Sequence, residues 1–188
     1  MERRVVMYYL TVGYPLGAEI VENRMVSQVS FQSVVVNLIP LEYRIWSKFL
    51  LGAYETDVKK TLSEADLNGF APTMNKLLQT GLLAGFPDGD FSGMRELIFL
   101  RQGIGAGLDL QSNVHCVVFR GKIELSVLEY DVWKSADGMV QYAELEKKVG
   151  LKHQLSCAEV QKTVIELCRR GLLLAVNREE RYIFNEIT

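Results

Sequence analysis

An excess of positive charge is missing from this chain. Its 188 residues carry 21 Lys and Arg against 23 Asp and Glu, a formal net charge of −2. Divided at Gly103, the N-terminal part holds 10 basic and 11 acidic residues, and the C-terminal part 11 and 12. Neither part has the basic footprint of an extensive phosphate-binding surface, which argues against broad nucleic-acid contact and leaves room for a local patch. Cysteine is scarce as well: Cys116, Cys157 and Cys168 form an odd, scattered set. Cys157 and Cys168 fall in one predicted helix, too far apart along it to bridge. Reduced thiols in a cytoplasmic protein are the expectation. The only histidines are His115 and His153, and no further ligands stand at zinc spacing, so no metal is expected. No apolar run approaches the ~20 residues of a membrane span. Glu2-Arg3-Arg4 before Val5 to Leu10 has the outline of a signal peptide. Tyr8, Tyr9 and Thr11, with Gly13 and Pro15 soon after, make it a β-strand instead.

What the chain does have is one pattern twice. Leu41-Glu42-Tyr43-Arg44-Ile45-Trp46 recurs as Leu128-Glu129-Tyr130-Asp131-Val132-Trp133. A valine-rich run precedes each copy (Val34-Val35-Val36, then Val117-Val118-Phe119). Each is followed by a glycine leading into an apolar strand: Gly81-Leu82-Leu83-Ala84, then Gly171-Leu172-Leu173-Leu174-Ala175. A repeat on this scale means two copies of one small domain, because solenoid units are shorter and more numerous. The expected division is residues 1–102, β-strands and a first domain, and 103–188, a second.

In the first copy, residues 4–12 and 25–39 read as strands. Pro40 starts a helix over about 41–51, with Leu41, Ile45, Trp46 and Phe49 on its buried stripe. A short helix covers about 55–62. A third begins near Pro72 and ends at Gly81, where the left-handed cap suits glycine. The pair Leu82-Leu83, a turn at Pro87-Asp88-Gly89-Asp90 and a strand over 97–100 read as a wing. In the second copy, Gly103, Gly105 and Gly107 form a flexible junction. Strands follow over about 107–110, 114–120 and 122–125. Ser126 with Glu129, and Ser156 with Glu159, have capping-box spacing before helices one and three. Helix two spans about 142–149, stopped by Gly150. A strand over 172–176, a charged tip at 177–181 and a strand over 182–184 form the second wing.

By element order, caps and wings, the chain resembles the winged helix-turn-helix superfamily twice over. The implied fold class is α+β: two winged-helix domains in tandem, each with additional N-terminal β-strands. The extra strands are similar to the layout of small domains that recognise precursor peptides in bacterial natural-product biosynthesis. Tandem winged helices are also similar to scaffold subunits of chromosome-condensing complexes, which bind protein and DNA. Fold alone does not choose among these.

The resemblance implies that the third helix of each copy reads DNA and that the wing holds its backbone. The outward face of the first offers Asn75, Lys76 and Gln79; amides can pair with adenine. The second offers Lys162, Arg169 and Arg170, beside Glu159 and Glu166, which repel phosphate. Arg178 and Arg181 lie on the wing. The aromatic residues of the repeated motif have core spacing. Gly103 to Gly107 lacks the context and lysine of a phosphate loop and reads as a linker or strand bend. Asp88, Asp90 and Ser92 begin like a calcium loop, but Phe99 stands where its glutamate is needed. No serine or cysteine nucleophile has an evident base, so no catalysis and no cofactor are expected. The leading expectation is a non-enzymatic DNA-binding transcriptional regulator, acting as a homodimer or as a pseudo-dimer of its own repeats. The alternative is a protein- or peptide-interaction module that uses the extra strands as an edge for β-addition.

Overall fold

Residues 6–109 and 114–178 are described by the structure, a computed structural model. The first half opens with β1 (Met7–Thr11), followed by a meander of β2 (Tyr14–Val21), β3 (Arg24–Phe31) and β4 (Val34–Leu38). Then come α1 (Pro40–Lys48), the short β5 (Ala53–Tyr54), α2 (Glu55–Lys59), α3 (Glu64–Gln79) and β6 (Leu83–Pro87). After a 3-10 turn at Ser92–Glu96 the order repeats. It runs through β7 (Leu97–Arg101), the meander β8 (Ile104–Asp109), β9 (Val114–Val118) and β10 (Lys122–Leu125), then α4 (Val127–Ser135). It closes with β11 (Asp137–Gln141), α5 (Tyr142–His153), α6 (Cys157–Arg169) and β12 (Leu173–Arg178).

The architecture is mixed α/β, with 12 strands in four three-stranded antiparallel sheets and six α-helices among the described residues. This corrects the expected α+β pair of tandem winged-helix domains. A wing needs the strand after the third helix to pair with the next strand in sequence. Instead β6 pairs with β1 along Met7–Thr11, and β7, the expected return strand of the first wing, pairs with β11 and β12. In each half the strand before the meander becomes the centre of the small sheet, in the orders β5-β1-β6 and β11-β7-β12. The expected return strand at 182–184 lies outside the described residues.

The backbone repeats in detail. Gly13 and Gly103 each follow a central strand at positive φ (119° and 88°). A Cβ on Gly13 would lie 2.7 Å from Val29 and 2.9 Å from the Ser30 carbonyl; on Gly103 it would lie 2.7 Å from the Val118 carbonyl and 2.9 Å from Phe119. Only glycine fits so close to a neighbouring strand at such an angle. Gly17 and Gly107 then sit at matching register shifts in the two meanders. Phe31 packs on Gly81, and Phe119 on Gly171.

The repeated tryptophans are core, as their helical spacing predicts: Trp46 is 0% and Trp133 4% exposed. Tyr43 stacks on Trp46 at 5.8 Å and 27°, Tyr130 on Trp133 at 5.7 Å and 27°. Trp46 donates to the Leu82 carbonyl and Trp133 to the Gln102 carbonyl, so neither indole N–H is stranded. One apolar core runs through both halves. They also join through backbone: Val12 bridges to Ala175, and the Gly13 N–H donates to the Ala175 carbonyl at 2.9 Å.

Several elements depart from their expected bounds. The third helix of the first half starts at Ser63, whose hydroxyl accepts the Asp66 N–H at 3.2 Å, and Pro72 lies inside it. Proline frees the carbonyl four residues back; here that residue is the exposed Asn68, open to water. Residues 25–39 are two strands, joined by Gln32-Ser33 at φ 49° and 60°. A two-residue turn of this hand is usually marked by Asn or Gly, and neither is present. Helix α5 continues through Gly150 to a left-handed Gln154. Gly105 and Gly107 lie in β8 and not in a free linker.

Candidate binding surfaces

The residues expected to meet DNA are held in different environments. Asn75, Lys76 and Gln79 are exposed on α3. The Lys76 ammonium is paired with Glu42, a carboxylate that is itself 5% exposed. On α6, Lys162 and Arg169 line a cavity with Tyr54, Asp88 and Phe91 of the first half. Arg169 lies over the Tyr8 ring at 5.5 Å, and burial pushes the Tyr8 phenol up to about 12. The same helix face thus turns toward the other half. Arg170 is bound to Glu129 at 2.6 Å and to the Glu124 carbonyl at 3.0 Å. Arg178 pairs with Leu97 at the end of β12, and Arg181 lies outside the described residues. Of the cations that the structure describes, Lys76 stands on α3 of the first half, and Lys162, Arg169 and Arg170 stand on or at the end of α6 of the second. Three of them (Lys76, Arg169 and Arg170) are engaged by partners in the same chain.

Sequence reasoning missed a buried acid at the junction. Glu146, 3% exposed, accepts from Arg95 at 2.8 and 3.2 Å, from the Tyr142 hydroxyl at 3.0 Å and from Gln161 at 3.3 Å. This ties the 3-10 turn to α5 and α6. Helical periodicity gives no warning of it, because a glutamate on a mixed-charge helix is normally solvated.

A second surface lies on the meanders. In the order β2-β3-β4 the outer edge of β4 pairs with no strand among the described residues. Its sequence is Val34-Val35-Val36-Asn37-Leu38, with Val34 and Val35 both 57% exposed. Folded proteins usually blunt such an edge with charge, proline or a bulge, and β4 has none of these. The matching edge, β10, reads Lys122-Ile123-Glu124-Leu125 and carries two charges in four residues. The other edge of the first meander, β2, has Pro15, a register shift and Glu19.

The hairpin turn fixes which groups β4 presents. Phe31 pairs with Val34 across the two-residue turn, the position of its closing hydrogen bonds. Antiparallel pairs alternate between hydrogen-bonded and open. Val29–Val36 therefore shares ladder bonds, while Val35 and Asn37 direct their N–H and C=O groups away from β3. Two donors and two acceptors line the open side.

Among the described residues, no group of three or more His, Cys, Asp or Glu is placed to hold a metal ion. No helix among them is long and apolar enough to cross a membrane.

No protein-family model matches the chain, and comparison with curated proteins finds no match. Among solved structures the chain is similar to "The structure of PKMT2 from Rickettsia typhi", at 11% identity and a TM-score of 0.32. The match covers 89% of this chain and 43% of that one, so the chain spans less than half the length of that protein. A likeness of this size carries no argument about fold or function.

Proposed function

We propose that this chain is a non-enzymatic interaction module that takes up an extended peptide along the edge of β4. The observation that carries the reading is the contrast between twin strands: β10 is guarded by Lys122 and Glu124, β4 by nothing. Such an edge invites an added strand, whose main-chain bonds supply affinity. The partner fitting it is a neutral, apolar, β-branched segment, because Val34 and Val35 offer apolar surface and no charge. The near-neutral net charge suits such a partner. Three unpaired cysteines support a cytoplasmic setting.

Peptides selected from a display library test this reading. Val35→Pro removes an N–H that points outward and leaves the ladder intact. It should weaken the selected peptides by about tenfold, as loss of one main-chain hydrogen bond predicts. Val35→Lys, which copies the charge of the twin strand, should do the same. Binding indifferent to both changes would overturn the reading.

A DNA-binding regulator remains the second reading, favoured by the exposed amides of Asn75 and Gln79. Retardation of duplex DNA at low salt, abolished by changing those two residues to alanine, would decide for it.

A further inference from the structure

A cleft of about 500 Å³ lies where the two halves meet, within the range of small-molecule sites, roughly 300–1,000 Å³. Leu50 and Leu51, just beyond α1, form one wall; Phe119, Ile123 and Leu174 of the second half form the other. Arg120 and Arg170 border it.

The duplication shows what is particular about this place. Arg120 and Gln32 are matching residues: each follows the phenylalanine that packs on a helix-ending glycine, and each has positive φ (54° and 49°). Arg170 and Thr80 match as the caps of α6 and α3, each just before that glycine. Two neutral residues of the first copy are thus both arginines in the second, at the mouth of an apolar cleft. Arg170 is already held by Glu129. Arg120 is exposed and has no carboxylate partner among the described residues; its guanidinium lies 5.3 Å from the Phe119 ring.

An apolar cleft whose edge carries a guanidinium with no carboxylate on it among the described residues suits an amphipathic anion. We propose that it binds a small monocarboxylate with an apolar body, the chain lying between Leu51 and Phe119 and the carboxylate meeting the fork of Arg120. The site is separate from the β4 edge, so either proposal can fail alone.

Calorimetry on the full chain tests it with decanoate as the probe, against decanamide, acetate and a tetrapeptide acid ending in leucine. Decanoate should bind saturably with one-to-one stoichiometry. Decanamide and acetate should bind at least tenfold more weakly, since each lacks one half of the recognition. Arg120→Gln, the residue of the first copy, should weaken decanoate at least tenfold without moving the melting temperature of the free protein. Leu51→Asp should weaken it as well, while Val35→Pro should not. Unsaturable binding, equal binding of the amide, indifference to Arg120→Gln, or binding confined to the peptide acid would each overturn the proposal.

Discussion

Glu42 and Glu129 hold the same position in the two halves, and each is gripped from two sides. One oxygen of each accepts the N–H at the head of its own helix, from Ile39 at 3.1 Å and from Ser126 at 2.8 Å. The other takes a cation from the third helix of its half, Lys76 in the first and Arg170 in the second. The cations stand at different turns of their helices, so the device recurs although the partner residue does not. Glu42→Gln should cost about 1.5–3 kcal/mol, the usual range for hydrogen bonds to a charged group. Urea unfolding measures it. Lys76→Met should cost less than Glu42→Gln if the cap is the larger part. A greater loss from Lys76→Met would place the energy in the ion pair.

The buried carboxylate of Glu146 leads to a larger effect. Arg95→Ala removes its one cation partner among the described residues and leaves a charge at 3% exposure facing two neutral donors. Removing one partner of a buried pair costs about 3–5 kcal/mol. Chemical denaturation of Arg95→Ala, with Glu146→Gln added in the same background, makes a thermodynamic cycle. The second change should restore part of the loss by removing the stranded charge.

The repeat was legible because its signals are local. Tryptophan spacing, helix-ending glycines and the box of Ser126 with Glu129 each act within a few residues, and Ser126 does accept the Glu129 N–H at 3.2 Å. Ser156 differs in detail: its hydroxyl donates to the Glu159 carboxylate at 2.7 Å. Strand pairing is not local. Leu97 to Leu100 reads equally well as a wing strand or as the centre of the next sheet, and only tertiary packing decides. The same holds for the candidate surfaces. Arg169 looks solvated on a helical wheel, and nothing in its sequence neighbourhood announces Tyr8. The bare edge of β4 was visible in part, because three consecutive valines without charge can be read directly.

Thiol chemistry should separate the cysteines cleanly. Cys157 is exposed, whereas Cys116 and Cys168 are buried. Burial also pushes the Cys168 thiol up to about 12, so it offers little thiolate near neutrality. One equivalent of thiol should react with an aromatic disulfide reagent in the native protein, and three after unfolding. Rapid native modification of more than one would contradict this burial.

Acid should weaken the fold through Asp131. Burial pushes its carboxyl up, but hydrogen bonds and charge from Lys152 and His153 outweigh that and leave it below the ordinary value. A depressed folded value means that the unfolded chain binds the proton more tightly. The contribution is therefore present above the unfolded value, about 3.9, and disappears as pH falls through the folded one. Unfolding midpoints in urea should decline between about pH 5 and pH 3, and Asp131→Asn should flatten that decline. An unchanged slope would mean that other carboxylates govern it.

The paired glycines give a prediction with its own control. Gly13 and Gly103 combine positive φ with a backbone carbonyl 2.9 or 2.7 Å from where a Cβ would stand. Gly17 and Gly107 also have positive φ, yet a Cβ there meets nothing within 4 Å. Alanine at the second pair adds only conformational strain, about 1 kcal/mol. Alanine at the first pair adds steric overlap that a strand cannot easily relieve, a further ~1–3 kcal/mol. The four single variants should therefore fall into two groups in a thermal melt, with Gly13→Ala beside Gly103→Ala and Gly17→Ala beside Gly107→Ala. Grouping by half instead would mean that the two copies differ in how they tolerate strain, and that the close approach after each central strand is not a shared requirement of the repeated unit.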